Sequence, residues 1–211
     1  MSWMITCTGR DHHFAGHNLF DVDPEANWLI REIAHSLAQI NRFTGHASRP
    51  YSVAEHSLLV ADLALGEQAS ASVQLAALLH DAHEAYTGDV SSPVKWRIGE
   101  AWKSFEHAQE VPLQNALRVR AAAHSARAQI THWDLVALAT ERRDLLLYDP
   151  QHNQPWQVLD NPTQRVLPSN THKLNSQERQ AMAWHEWRDE FVRHFNELSR
   201  QVRVDLQKAM K

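Results

Sequence analysis

A histidine followed directly by an aspartate, His80-Asp81, closes an apolar helical stretch that ends in Leu78-Leu79. The leucines demand burial and draw the two polar groups inward with them. A lone carboxylate taken out of water is strongly penalised unless it is paired or bound to a metal. The chain must therefore supply a partner for Asp81, and a metal ion is the economical candidate. Residues of suitable type recur in two other apolar helical runs: His56 in Tyr51–Val60 and Asp134 in His132–Leu138. Two imidazoles and two carboxylates from three helices match the way helical bundles build metal sites in their cores. The expected cofactor is a divalent ion, and residue types alone do not choose among Mn, Co, Fe, Ni, Zn and Mg.

The 211 residues suit one domain, 1–211, large enough to bury a core. Hydrophobic residues make up 43% and there are only 6 glycines, which fits an all-α protein. A net charge of −4 disfavours nonspecific nucleic-acid binding, and Arg118, Arg120 and Arg127 are spread too thinly for a phosphate-backbone track. Cys7, the single cysteine, rules out an internal disulfide and suits a cytoplasmic location; it reads as a small side chain near the surface. No apolar run reaches the roughly 18 residues that a membrane span needs, and the N-terminus lacks the features of a signal peptide. Of the 15 histidines, His12, His13, His17, His152 and His172 sit in polar stretches and read as solvated.

Residues 1–22 carry no helical period beyond a short strand or hairpin around Trp3-Ile5. Asp23-Pro24-Glu25 reads as a helix start, and Ile30, Ile33, Ala34, Leu37 and Ile40 form its inward face. Ser52 with Glu55 is a capping box opening a helix that runs to about Gly66. A further helix is expected over about 69–86, stopped by Gly88, and two more over 98–111 and 112–120, split by Pro112. The next spans 130–147, with Val136, Leu138, Leu145 and Leu146 as core candidates. The Pro-rich stretch 149–175 reads as a long connection or flap. Trp184, Trp187, Phe191, Phe195, Leu198 and Val202 mark a final helix within 176–208. That aromatic stripe suits core or dimer packing better than base stacking.

The order His56, His80-Asp81, Asp134 resembles the HD-domain metal-dependent phosphohydrolases. The chain is most similar to small bacterial and phage members that look like 5′-deoxynucleotidases. The motifs are Ser52-Val53-Ala54-Glu55-His56-Ser57, His80-Asp81-Ala82-His83-Glu84 and Thr87-Gly88-Asp89, then Pro93-Val94-Lys95 and the segment Asp134 to Asp144. The resemblance implies His56, His80, Asp81 and Asp134 as metal ligands, with Glu84 and Asp89 as the water-handling catalytic carboxylates. On a continuous helix, Glu84 follows Asp81 by three and His80 by four, and so shares their face. His83 points about 100° away and reads as a bystander.

Arg42 occupies the place where the resembling nucleotidases carry an Arg followed by an aromatic residue. A guanidinium grips phosphate oxygens bidentately, and the ring of Phe43 can pack on a base or sugar. Many of the family have Trp there, so base preference stays open. His46 and Lys95 are further phosphate-binding candidates.

The resemblance implies a metal-dependent phosphohydrolase acting on a small-molecule nucleotide, releasing phosphate from (deoxy)nucleoside 5′-monophosphates. The alternatives are dNTP triphosphohydrolysis, nucleoside-phosphate pyrophosphohydrolysis, and non-catalytic metal or nucleotide sensing; an intact Glu84 and Asp89 argue against the last. Ala85 after Glu84 disfavours alarmone hydrolysis, whose enzymes carry adjacent Glu-Asp shortly after the His-Asp pair. No nucleic-acid or membrane partner is expected, and a homodimer is compatible with the resemblance and the aromatic last helix.

Overall fold

The helix that carries His56 starts at Ser52. In the computed structural model, which describes residues 3–15 and 28–211, the Ser52 hydroxyl accepts a hydrogen bond of 3.2 Å from the Glu55 backbone N–H. From there α2 runs Val53–Gly66. Only half of the expected capping box forms: the Glu55 side chain turns away to Arg49 (2.7 Å) and Arg179 (2.8 Å) instead of reaching back to the cap. Every residue from Val53 to Ala61 is buried. A helix apolar on all sides belongs in the middle of a bundle, and its few polar groups, His56 among them, go in with it.

Helices make up 63% of the structure, with eleven α-helices among the described residues. Around α2 pack α1 (Trp28–Leu37), α3 (Ala71–Leu78), α8 (Arg127–Leu145) and α11 (Trp184–Ala209). Of the expected inward face, Ile30, Ile33, Ala34 and Leu37 are buried on α1, while Ile40 lies half-buried just beyond it. The Asp23-Pro24-Glu25 start and His17 lie outside the described residues. No helix among the described residues is long and apolar enough to cross a membrane.

The expected continuous helix over 69–86 is broken. α3 ends at Leu78, residues 79–83 form a turn, and α4 (Glu84–Thr87) follows. Tight i→i+3 bonds replace the helical ladder there: Ala82 N–H to Leu79 O at 3.1 Å and Glu84 N–H to Asp81 O at 2.9 Å. The His80 ring contributes by donating Nδ1–H to Ala77 O at 2.8 Å, a local bond that competes with the helix. The break has a structural consequence. Neighbours on a straight helix diverge by about 100°, but here both His80 and Asp81 reach the His56 imidazole. Gly88 then ends α4 with φ +79° and ψ 157°, a backbone region essentially confined to glycine.

Pro112 does not split a helix. α5 (Ser92–Ile98) stops at Gly99, which has φ +72°, and α6 (Glu100–Ala116) continues through the proline. The carbonyl that loses its partner belongs to Ala108, which is exposed, so water can satisfy it. α7 (Arg120–Ser125) leads into α8, where Ile130, Trp133, Ala137, Thr140, Glu141 and Leu145 face inward. Of the expected core residues there, Leu145 is buried; Val136, Leu138 and Leu146 are half-buried.

At the N-terminus, β1 (Trp3–Ile5) pairs antiparallel with β2 (Asp11–His13), the short hairpin expected around Trp3-Ile5. His12, expected to be solvated, is fully buried. Its Nε2 lies 3.0 Å from Gln109 Oε1 and its ring stacks on Tyr86 at 4.2 Å. The hairpin is tied to α1 through buried Glu32, which accepts hydrogen bonds from Thr6, Thr8, Arg10 and Tyr86. Cys7 is exposed, as expected.

The stretch 149–175 contains α9 (Gln157–Asp160) and is fastened to α8. Arg142 pairs with Asp160 at 2.6 Å, and Arg143 donates to the carbonyls of Ser169 and His172. The Leu174 N–H donates to Asp144 at 2.9 Å. After α10 (Gln177–Ala181), most of the aromatic stripe of α11 is core packing: Trp187 and Phe191 are buried, Phe195, Leu198 and Val202 lie against the same cluster, and Trp184 at the helix start is exposed.

Candidate active site

Two helices and one turn bring the four expected ligands together. α2 supplies His56, the 79–83 turn supplies His80 and Asp81, and α8 supplies Asp134. His56 Nε2 lies 3.3 Å from His80 Nε2, 3.5 Å from Asp81 Oδ2 and 3.2 Å from Asp134 Oδ1. His80 Nε2 is 3.1 Å from Asp81 Oδ2 and 3.9 Å from Asp134 Oδ1. Donors about 2.0–2.2 Å from one ion stand about 3–3.6 Å apart at neighbouring positions. The set therefore fits a divalent metal. Donor atoms of His56, His80 and Asp134 all lie within 4.8 Å of one another, and Asp81 joins through its contacts to the two imidazoles.

The tautomers agree. His56 Nδ1–H donates to Glu141 Oε1 at 2.6 Å, and His80 Nδ1–H donates to a carbonyl, which can only accept. Both Nε2 lone pairs are thereby turned toward the cluster, as in metal-binding histidines whose other nitrogen is held by an acceptor. Burial opposes protonation of His56, and Arg42 adds to that. Glu141, Asp134 and Asp81 outweigh both and raise its pKa well above the ordinary histidine value. A divalent ion would occupy the same field of negative charge.

Glu141 was not among the expected site residues. It is fully buried, and besides His56 it holds Arg42 at 3.2 Å. Burial alone would raise its pKa, but Arg42 and His56 outweigh that and hold it at about 2. Its signal in the sequence is spacing: Glu141 follows Asp134 by seven residues, two turns along the same face.

Arg42 sits beside the cluster, 3.7 Å from Asp81 as well as bonded to Glu141. The turn that carries it (Arg42–Gly45) is clipped to the start of α2, with Arg42 N–H donating to Tyr51 O at 2.8 Å. Phe43 and Thr44 both take left-handed backbone conformations in that turn, with φ of 56° and 54°. The Phe43 ring lies 5.5 Å from the Arg42 guanidinium. His46 is exposed and, like Arg42 and Phe43, does not line the cleft described below.

Glu84 and Lys95 stand on the other side of Asp81. Glu84 is buried, and its Oε2 has no hydrogen-bond partner. Burial, then the charges of Asp81 and Asp89, hold its carboxyl well above the ordinary glutamate value. Asp89 is half-buried and lies in the field of Arg42 and Asp81; burial pushes its pKa up too. Lys95 Nζ lies 3.6 Å from Glu84 and 2.7 Å from Glu106. Glu106, also unforeseen, pairs with His83 at 3.3 Å. The bonds from His83 and Lys95, working against burial, bring its pKa to about 2. His83 is buried against this group. His80, Asp81, Asp134 and Lys95 line a cleft of about 390 Å³, within the size range of small-molecule sites.

Comparison with known proteins agrees with this geometry. A family model described as 5′-deoxynucleotidase YfbR-like matches residues 31–131, a span containing Arg42, His56, His80-Asp81, Glu84, Asp89 and Lys95. The uncharacterized protein YfdR of Escherichia coli is 34% identical over 160 residues, covering 76% of this chain and 80% of that protein. An uncharacterized protein of Rhodobacter capsulatus is 46% identical over 109 residues, 48% of this chain and 50% of its own length. The chain belongs to the YfbR-like family, the 5′-deoxynucleotidase-like branch of the HD-domain metal-dependent phosphohydrolases.

Proposed function

We propose that the protein hydrolyses (deoxy)nucleoside 5′-monophosphates to nucleoside and inorganic phosphate. One observation carries this reading. The His56 and His80 Nε2 atoms converge with carboxylate oxygens of Asp81 and Asp134 beside a buried, unpaired Glu84 oxygen, at the wall of a nucleotide-sized cleft.

In this reading His56, His80, Asp81 and Asp134 hold the divalent ion, with Glu141 orienting His56. When bound, the ion polarises a phosphoryl oxygen and makes a water more acidic. Glu84 takes a proton from the attacking water in this reading, because burial and the neighbouring carboxylates raise its proton affinity and its free oxygen has no competing partner. As the water oxygen bonds to phosphorus, the bond from phosphorus to the 5′ oxygen breaks. The departing oxygen needs a proton, and Asp89, its pKa also raised, is the second group that can carry one. Lys95 and Arg42 offset the phosphate charge, and Phe43 offers a ring to the sugar or base.

The test is a panel of nucleoside mono- and triphosphates with Mn, Co, Mg and Zn, with products identified by chromatography. Nucleoside plus inorganic phosphate from dNMPs is the expected result. Release of tripolyphosphate or pyrophosphate from dNTPs, with monophosphates untouched, selects the other phosphohydrolase chemistry. Turnover of no nucleotide with any metal refutes both.

A further inference from the structure

The cleft does not stop at the proposed metal ligands. It extends to the junction of α7 and α8, where Arg120, His124 and Arg127 line its far end. Arg10, Arg42, Arg49 and Arg142 each hold a carboxylate. Arg120, His124 and Arg127 hold none among the described residues. Of the acids on the same cleft, Glu106 is held by Lys95 at 2.7 Å, and Glu110 accepts from the Gln114 amide at 2.7 Å and lies 3.9 Å from His107. This end of the cleft therefore presents two guanidiniums that no carboxylate among the described residues binds.

Its distance from the proposed reaction centre follows from α8. Arg127 precedes Asp134 by two turns, with Thr131 between them on the cleft face, so the cation and the carboxylate stand about 10 Å apart along the helix. Two guanidiniums on one wall, each with a planar fork of donors, suit a tetrahedral oxyanion better than an uncharged base.

We propose that the α7–α8 end of the cleft is a second phosphate subsite, binding a phosphoryl group that the nucleotide carries in addition to the one at His80, Asp81 and Asp134. The proposal rests on the nucleotide reading above and extends it to substrate class: a nucleotide with two phosphoryl positions. The second phosphate comes either from a chain extended at the 5′ position or from the 3′ position across the sugar. Arg120 and Arg127 grip it, and His124 adds a donor.

The experiment measures binding, so turnover does not enter it. Glu84→Gln protein loaded with Co is titrated calorimetrically with dAMP, dADP and 2′-deoxyadenosine 3′,5′-bisphosphate. At least one two-phosphate ligand is expected to bind about tenfold or more tightly than dAMP, the scale of one or two charged hydrogen bonds. The ligand that shows the advantage identifies where the second phosphate is attached. Adding Arg120→Gln and Arg127→Gln together is expected to bring that affinity ratio close to unity. Equal affinity for all three ligands overturns the proposal. An advantage that survives the double substitution also overturns it, because the extra phosphate is then bound elsewhere. The two readings fail separately. Turnover of dAMP by the unmodified protein without any affinity advantage removes only the subsite; an advantage without turnover removes only the monophosphatase activity.

Discussion

Replacing Glu141 by glutamine tests the electrostatic frame of the site at a residue that touches no substrate. Its carboxylate, itself out of contact with water, does two things: it accepts the His56 Nδ1–H at 2.6 Å and neutralises Arg42 at 3.2 Å. Glutamine keeps an acceptor for His56 and loses the charge. Removing the acceptor that orients a ligating histidine typically weakens metal binding by about 10- to 100-fold, or about 1.4–2.8 kcal/mol. Because glutamine preserves the hydrogen bond, a loss near the lower end, about tenfold, is expected. Alanine is a harsher change. It leaves the His56 Nδ1–H without an acceptor and Arg42 with Asp81 alone at 3.7 Å, and breaking such buried pairs costs about 3–5 kcal/mol of stability. Calorimetric titration of Co into the two variants, alongside thermal unfolding, separates the effects. The reasoning fails if folded Glu141→Gln binds Co as tightly as the unmodified protein, or if alanine destabilises no more than glutamine.

Three further predictions concern the scaffold. Gly88→Ala is expected to cost about 1–3 kcal/mol, purely from backbone strain, because a Cβ there meets no atom within 4 Å; unchanged thermal stability contradicts the assigned backbone geometry. Burial alone would raise the Glu32 carboxyl, but bonds from Arg10, Thr6 and Thr8 hold it below its ordinary value. Its contribution is therefore fully present above the unfolded-state pKa and is lost as pH falls through the lower folded value. The stability gap between the unmodified protein and Glu32→Gln should be widest near neutral pH and narrow in acid, and a gap constant across an acid titration shows that the pair is not the cause. Phe191→Ala, at a fully buried position on α11, should cost about 3–5 kcal/mol by chemical denaturation. A loss under 1 kcal/mol would mean that the aromatic stripe is not core packing.

The site was legible in the sequence to the extent that its chemistry is local. Ser52 starts α2 because a hydroxyl cap needs only the next turn to act, and the burial of His56 follows from the unbroken apolar run around it. The break at 79–83 was hidden, because apolar residues continue through it and the bond from His80 Nδ1 to Ala77 O depends on a rotamer. Glu141 was within reach of a spacing argument from Asp134. Glu106 and His12 were not, since each owes its environment to α6 packing against residues far away in the chain. Pro112 shows the limit of a local rule: α6 runs through it, and the carbonyl it abandons belongs to exposed Ala108.

The central claim is that His56, His80, Asp81 and Asp134 form one metal centre on which phosphate release depends. Metal content and dAMP hydrolysis measured together, as chelator-stripped protein is titrated with Co, test it most directly. The account predicts that both rise in parallel to one equivalent of metal, and that both are lost in Asp81→Asn and in Asp134→Ala. Full turnover by stripped protein, or retention of the metal by both variants, would contradict it.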